Sequence, residues 1–358
     1  MKKLIILQTV TPDYRKKFFL TIKKELGAYF ELYGGDYYFE KSVKSDPTIL
    51  FKKHVKNYFF YKRNFLVQTG LWFILQEDIL ILELNPRIIS NWILLLIRKV
   101  LRKKTILWGH AWSRKGVNSK TDRLRNIMRN LADEIIVYTK TQQQELQHKM
   151  PNKKISIAPN SVFYKDEMIV NKEVSLIKNI IYVGRLTKNK KTLFLVKAFH
   201  QVMENLPVEA NLIVVGDGEE RDSIEKYIKQ NNLFERIKIL GHIGDYNKLK
   251  ELYATSLVGI SPGYVGLSVT QSFGFGVPMI VSKNEPHSPE IEAVIEGKNT
   301  MFFETDNLNS LSQEIINLYE RKDYWINKRT AICNFCKENY SIEAMVKPFL
   351  NLQKEINA

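Results

Sequence analysis

Short apolar runs alternate along this chain with stretches whose apolar positions recur every three or four residues, the patterns of strands and of one-sided helices. The first run, Leu4–Leu7, reads as a strand. Thr11-Pro12 then offers an N-cap and a first-turn proline to a helix carrying Phe18, Phe19, Ile22 and Leu26 on one face. A second strand is predicted over Tyr29–Tyr33, ended by Gly34-Gly35-Asp36. Further on come strand Ile79–Leu84, a helix over Ser90–Leu101, strand Thr105–Trp108, a helix near Thr121–Leu131 and strand Glu134–Tyr138. Strand Ile155–Ala158 leads into Pro159-Asn160-Ser161, and residues 162–178 are mostly polar without a clear period, which places a domain boundary there. The alternation then resumes with strands over Asn179–Val183, Asn211–Val215, Ile237–Leu240, Leu257–Ser261 and Met279–Val281. From about Ser341 the pattern is helical, with Ala344, Met345, Phe349 and Leu352. The prediction is an α/β protein of two Rossmann-like domains, 1–165 together with the tail 341–358, and 174–340.

Composition adds detail to this picture. A length of 358 residues gives each domain enough chain for its own core. A hydrophobic content of 44% and a mean hydropathy of −0.24 fit a soluble globular protein. The apolar run at the start stops at Gln8 without a small-residue cleavage site, so it is expected to be a strand and not a leader. Trp92–Ile97 is far too short to span a bilayer. Cys333 and Cys336 are too few for a structural zinc and lie in a helical stretch, so ordinary reduced thiols of a cytoplasmic protein are expected.

Charge is distributed unevenly. Residues 1–170 hold 31 Lys and Arg against 15 Asp and Glu, whereas residues 171–358 hold 23 of each. The whole excess of +16 therefore lies in the first half. There it mixes with aromatics, most densely over Phe51–Arg63 (FKKHVKNYFFYKR). Such mixing suits an anionic bilayer, where cations meet headgroups and rings enter the interface. Single-stranded nucleic acid would use similar residues, but no recognition helix or RNP-type motif accompanies them, and no nucleic-acid partner is expected.

Candidate chemistry begins at Tyr182-Val183-Gly184-Arg185-Leu186-Thr187-Lys188-Asn189-Lys190, where a strand ends and a helix begins. Ligands bind at the carboxyl ends of parallel strands and anions favour helix starts, so Arg185 and Lys190 suit a diphosphate. The strand-and-glycine unit recurs at Leu212-Ile213-Val214-Val215-Gly216-Asp217-Gly218 and again at Ile237-Lys238-Ile239-Leu240-Gly241-His242-Ile243. Ser261-Pro262-Gly263-Tyr264-Val265-Gly266-Leu267-Ser268, Gly274–Val281 and Ser288-Pro289-Glu290-Ile291 follow. In order and spacing the series resembles the second half of retaining GT-B glycosyltransferases of the GT4 type.

The resemblance implies two Rossmann-like domains facing across a cleft, with a C-terminal helix crossing back to the first. It implies that Arg185 and Lys190 neutralise the donor diphosphate, with backbone groups of Gly266, Leu267 and Ser268 completing the anion site. Gly241, His242 and Ile243 would wall the base pocket, Glu290 would take the place of the family's "PEi" glutamate, and His110, after a first-half strand, would sit near the transferred sugar. The family's E-x7-E segment is altered here: Gly263 stands at the first glutamate position and Gln271 at the second. Gln271 keeps an acceptor for the ribose, while Gly263 keeps none. Ser261–Leu267 matches the "SPGxVGL" form of this segment in capsule and lipopolysaccharide transferases. No Asp-x-Asp metal motif is present, and neither metal nor cofactor is expected.

The resulting expectation is a hexosyltransferase using a nucleotide-diphosphate sugar, with UDP ahead of GDP, and retaining the anomeric configuration. Its acceptor would be a lipid-linked glycan of bacterial surface polysaccharide, such as capsule, O-antigen or exopolysaccharide. It would work in the cytoplasm, peripheral on the inner face of the cell membrane. The alternatives are a nucleotide-sugar epimerase of the same fold and a catalytically silent sugar-nucleotide-binding protein.

Overall fold

The computed structural model describes residues 2–41, 43–113, 116, 119–171 and 173–357, the last three as backbone only. Two units emerge, 1–162 with 342–358 and 163–341.

The first unit is built on the strands β1 (Leu4–Val10), β2 (Phe30–Gly35), β3 (Lys52–His54), β4 (Lys56–Phe60), β5 (Phe65–Thr69), β6 (Ile79–Glu83), β7 (Lys104–Trp108), β8 (Glu134–Val137) and β9 (Lys154–Ile157). Seven of them form a parallel sheet in the order β3-β2-β1-β6-β7-β8-β9. The inner strand β1 is buried along its full length and runs three residues past the expected Leu4–Leu7, through buried Gln8 and Thr9. Helices α1 (Lys16–Leu26), α2 (Ile89–Val100), α3 (Asp122–Leu131) and α4 (Lys140–Lys149) belong to the same unit. The buried face of α1 carries Phe18, Phe19, Ile22 and Leu26, as the spacing predicts.

Several local expectations are corrected. A 3-10 turn over Asp13–Arg15 precedes α1, and Thr11 does not cap it; the Thr11 hydroxyl instead lies 3.2 Å from the Ser45 hydroxyl, which also accepts from the Thr11 amide. Strand β2 runs on through Gly34 and Gly35, because both pair with neighbouring strands. The basic, aromatic Phe51–Arg63 stretch, read from sequence only as a surface, contributes β3 and the first arm of an antiparallel hairpin formed by β4 and β5. Its turn places Tyr61, Lys62 and Arg63 in the left-handed region, and the Arg63 guanidinium returns to stack on Phe59 at 3.7 Å.

The second unit has a six-stranded parallel sheet of β10 (Asn179–Val183), β11 (Leu212–Val215), β12 (Ile237–Ile239), β13 (Ser256–Ser261), β14 (Met279–Ser282) and β15 (Thr300–Phe303). The order is β12-β11-β10-β13-β14-β15. Helices α5 (Thr192–Val202), α6 (Arg221–Gln230), α7 (Tyr246–Ala254), α8 (Ser268–Gly274), α9 (Leu308–Glu320) and α10 (Lys322–Asn339) complete it. One continuous core joins β10, α5, β11, α6 and α9 through residues such as Tyr182, Phe199, Val214, Ile224 and Leu311. Arg329 of α10 is buried and donates to the carbonyls of Ser256, Tyr253 and Phe275, tying α10 to the end of α7, the start of β13 and the end of α8.

The last helix, α11 (Ile342–Asn357), returns to the first unit, as the GT-B expectation requires. Phe349 packs edge-on against Phe18 and Trp108, each at 4.9 Å between ring centres. Two parallel α/β units with such a returning helix are the GT-B fold.

Candidate functional site

The strand order of the second unit reverses between β10 and β13. Crossovers leave β10 in one direction and β13 in the other, so the loops after these strands part and open a crevice at the sheet's carboxyl edge. Arg185 and Lys190 follow β10, and Tyr264, Gly266 and Ser268 follow β13. The expected anion site thus falls at the switch point.

Its floor is laid by backbone. The Gly184 amide donates to Val215 O at 3.0 Å, and that of Leu186 to Asp217 O at 2.9 Å. A Cβ at Gly216 would lie 1.8 Å from Gly184 O, so only glycine lets the β11 turn press against the loop that carries Arg185. The Lys190 amide closes a 3-10 turn on Thr187 O at 2.8 Å. Lys191, left-handed at φ 55°, ends that turn and starts α5. The ammonium of Lys191 is taken up by Glu285 and Asp306, both at 2.6 Å, which leaves the anion role to Lys190.

Lys190 Nζ donates to the carbonyl of Tyr264 at 2.8 Å and lies 3.6 Å from the centre of its ring. Arg185 Nη2 is 3.5 Å from the Tyr264 hydroxyl. A Cβ on Gly266 would stand 3.9 Å from Lys190 Nζ, so the ammonium faces the bare backbone before α8. Burial first, and then the Arg185 cation, lower Lys190 to about 8 against the opposing pull of the Glu290 carboxylate. Glu290 is itself buried, in the turn Pro289–Ala293. Arg185 and Lys190 thus stand beside one another at the sheet edge, with the Glu290 carboxylate near enough to act on Lys190.

His287 stands apart from this chemistry. Its Nδ1 accepts from the Val265 amide at 3.1 Å, so the proton is on Nε2, which donates to Ser282 O at 3.0 Å. Burial lowers its pKa, and the neutral ring pins the loop before α8. Gln271 lies on α8, one turn beyond Leu267, whose carbonyl accepts its amide at 3.0 Å. Gly241, His242 and Ile243 follow β12, two strands from β10 on the same edge, and Gly241 O receives the Gly216 amide at 2.8 Å. The structure therefore brings Arg185, Lys190 and Gly266 together, with Glu290 near enough to act on Lys190, and sets Gly241–Ile243 two strands away on the same edge.

In the first unit His110 follows β7 and is exposed, its ring edge-on to Tyr138 at 4.8 Å. Tyr138 accepts from Arg15 Nη2 at 2.8 Å, Arg15 Nη1 donates to Gln8 Oε1 at 2.9 Å, and the guanidinium lies 4.4 Å from the Trp108 ring. Burial alone would lower Arg15; Tyr138, Tyr14 and Glu83 outweigh it and hold the cation above its ordinary range. Glu83, bonded by the Thr9 amide, is raised because burial exceeds that bond and the pull of Arg15. Sequence reasoning missed Arg15, Glu83, Tyr138 and Tyr264. The first three are far apart in the chain and meet only at the carboxyl edge of β1, β6 and β8, while Tyr264 was visible inside the altered segment itself.

Among the described residues no group of His, Cys, Asp and Glu could hold a metal ion.

Residues 169–334 match the family model "Glycosyl transferases group 1". An uncharacterized glycosyltransferase of Methanocaldococcus jannaschii is 30% identical over 193 residues, 52% of this chain and 47% of that protein. The N-acetylgalactosamine-N,N'-diacetylbacillosaminyl-diphospho-undecaprenol 4-alpha-N-acetylgalactosaminyltransferase of Campylobacter jejuni is 25% identical over 174 residues, covering 47% and 46%. The chain spans about half the length of these two curated relatives. Anabaena HepE, solved in complex with UDP, superposes with a TM-score of 0.72 at 14% identity over 99% of this chain and 100% of that one. The solved structure shares the two-domain fold seen here, and the stretch similar to glycosyl transferases group 1 lies within the second unit.

Proposed function

We propose that the protein is a retaining glycosyltransferase that takes a hexose-type sugar from a nucleotide-diphosphate donor, UDP ahead of GDP, and delivers it to a lipid-linked glycan. The carrying observation is the pair Arg185 and Lys190 at the switch point of the second sheet, with Lys190 held in a desolvated position. A leaving diphosphate gains charge as the glycosidic bond breaks, and cations fixed in advance stabilise that charge without reorganising. Arg185 supplies a planar fork and Lys190 a point charge. Gln271 would accept from the ribose, Gly241–Ile243 would wall the base, Glu290 would face the sugar end, and His110 would serve the sugar from the first unit. No metal or cofactor enters this reading. The Campylobacter relative, named for a diphospho-undecaprenol substrate, and the basic first half support a lipid-linked acceptor at the inner membrane face, in bacterial surface polysaccharide synthesis.

A panel of UDP-, GDP- and ADP-sugars tests this without an acceptor. One UDP-sugar is expected to raise the melting temperature and to be slowly hydrolysed. No stabilisation by any of them would remove the donor assignment. Stabilisation with no turnover, in water or with acceptor, would favour a silent binding protein, the reading that the side-chain-free Gly263 favours.

A pH dependence follows from Lys190. Below about pH 8 the free protein already carries this proton, so binding a diphosphate takes up none and affinity is flat. Above that point the proton must be drawn from solution, and each further pH unit is expected to weaken binding by up to ~tenfold, until the raised pKa of the complex is passed. Calorimetry with UDP across a pH series should show this fall, and Lys190→Met should abolish it. A fall that persists in Lys190→Met would assign it to another group.

A further inference from the structure

Helix α2 has the wrong face out. Its buried side carries Ser90, Asn91, Leu94, Leu95 and Arg98, while Ile89, Ile93, Leu96 and Val100 project outward. The three central and terminal members are 49%, 52% and 83% exposed. Their spacing of four, three and four residues makes one straight stripe along the helix. Neighbouring α3 adds Leu124 and Ile127, both more than half exposed. A water-facing helix ordinarily shows charge on this side.

The stripe is held rigidly. Buried Arg98 ties the end of α2 to the carbonyls of Ile74, Leu75, Glu77 and Lys104 and to the Thr105 hydroxyl. At its start, α2 adjoins the hairpin through the bridge from Leu66 to Ile88. The outward face of that hairpin shows Tyr58, Phe60 and Phe65, with Tyr61 and Lys62 in its turn.

Charge names the partner. Between Glu83 and Asp122 the chain has nine Lys and Arg and no carboxylate at all. An apolar stripe in a segment whose own charges are all cationic, Lys99 among them pairing with Asp133, matches an anionic bilayer, with acyl chains under the stripe and phosphates beside it. A nucleic-acid backbone would use the cations but leave the stripe in water. At 12 residues α2 is about 18 Å long, too short to cross, and among the described residues no helix is long and apolar enough to do so.

We propose that the outward stripe of α2, continued onto α3 and flanked by the aromatic hairpin, lies in the surface plane of an anionic membrane and inserts Ile93, Leu96 and Val100 among the acyl chains. This rests on the lipid-linked reading above and sharpens it, from charge attraction spread over the first half to one inserted helix face.

The test uses the full chain with vesicles of phosphatidylcholine and phosphatidylglycerol, and with phosphatidylcholine alone. The parent is expected to float with the anionic vesicles only. Ile93→Asp/Leu96→Asp is expected to lose flotation by ~tenfold or more, with melting temperature and donor hydrolysis unchanged, since both positions face water. An environment-sensitive dye on Leu96→Cys should shift to the blue on vesicle addition, and one on Val208→Cys should not; the native Cys333 and Cys336 are buried and stay unlabelled. Flotation of the double variant like the parent, with no dye shift at position 96, would overturn the inference and leave membrane attachment standing. A parent that ignores anionic vesicles would remove both. A parent dimer that the double variant splits would overturn the inference in favour of contact between copies.

Discussion

Arg185→Ala is expected to lower turnover about a hundredfold with the melting temperature unchanged. Arg185 is exposed, so the substitution spares the core while removing the charge and its contact with the Tyr264 hydroxyl. A charge-assisted contact to a developing diphosphate is worth about 2 to 3 kcal/mol, which converts to that factor. Lys190→Ala should cost at least as much, and it also frees the Tyr264 carbonyl that Lys190 now engages. Because the two cations would act on one leaving group, the double variant should lose less than the product of the single losses. Steady-state hydrolysis of the donor together with calorimetry of UDP binding measures both terms. Parent-like binding and turnover in both single variants would show that the diphosphate lies elsewhere.

Gly263→Glu, which writes the family's usual glutamate back into the altered segment, is expected to damage the protein. A Cβ at this position would lie 2.2 Å from Asn189 O and 3.0 Å from the Cα of Lys190. Those neighbours are backbone and cannot turn aside as a side chain would. The turn Lys188–Lys190 must therefore shift, and it carries the very ammonium that would meet the donor. Overpacking of this kind costs about 1 to 3 kcal/mol of stability, and ångström-scale displacement of a positioning group costs ~100-fold in rate. Gly263→Ala should show most of the same loss, since the clash begins at Cβ. Thermal melts and donor hydrolysis on both variants decide the matter: a Gly263→Glu protein of parent stability and higher turnover would mean that the segment tolerates the carboxylate after all. The absent glutamate is thus coupled to how closely the loops after β10 and β13 approach, and one substitution cannot restore it.

The alternation of elements was legible in the sequence because parallel strands buried on both faces must be apolar throughout and their crossover helices on one face only. Leu4–Leu7 and Asn179–Val183 follow directly from that rule, as do Phe18, Phe19, Ile22 and Leu26 on α1. Arg185 and Lys190 were legible too, since a strand end followed closely by a helix start is a local pattern. Strand order is not local. Only the tertiary structure puts β13 beside β10, and so only it sets Tyr264 over Lys190, lowers that lysine by burial, and makes His287 a pin for the Val265 amide. Exposure escapes the sequence for the same reason. The apolar run in α2 reads as core by composition, and its periodicity fits two opposite faces equally well. Which face met the sheet was decided by the packing of Leu94 and Leu95 and by Arg98 reaching six partners behind them, and that choice left Ile93, Leu96 and Val100 in the open.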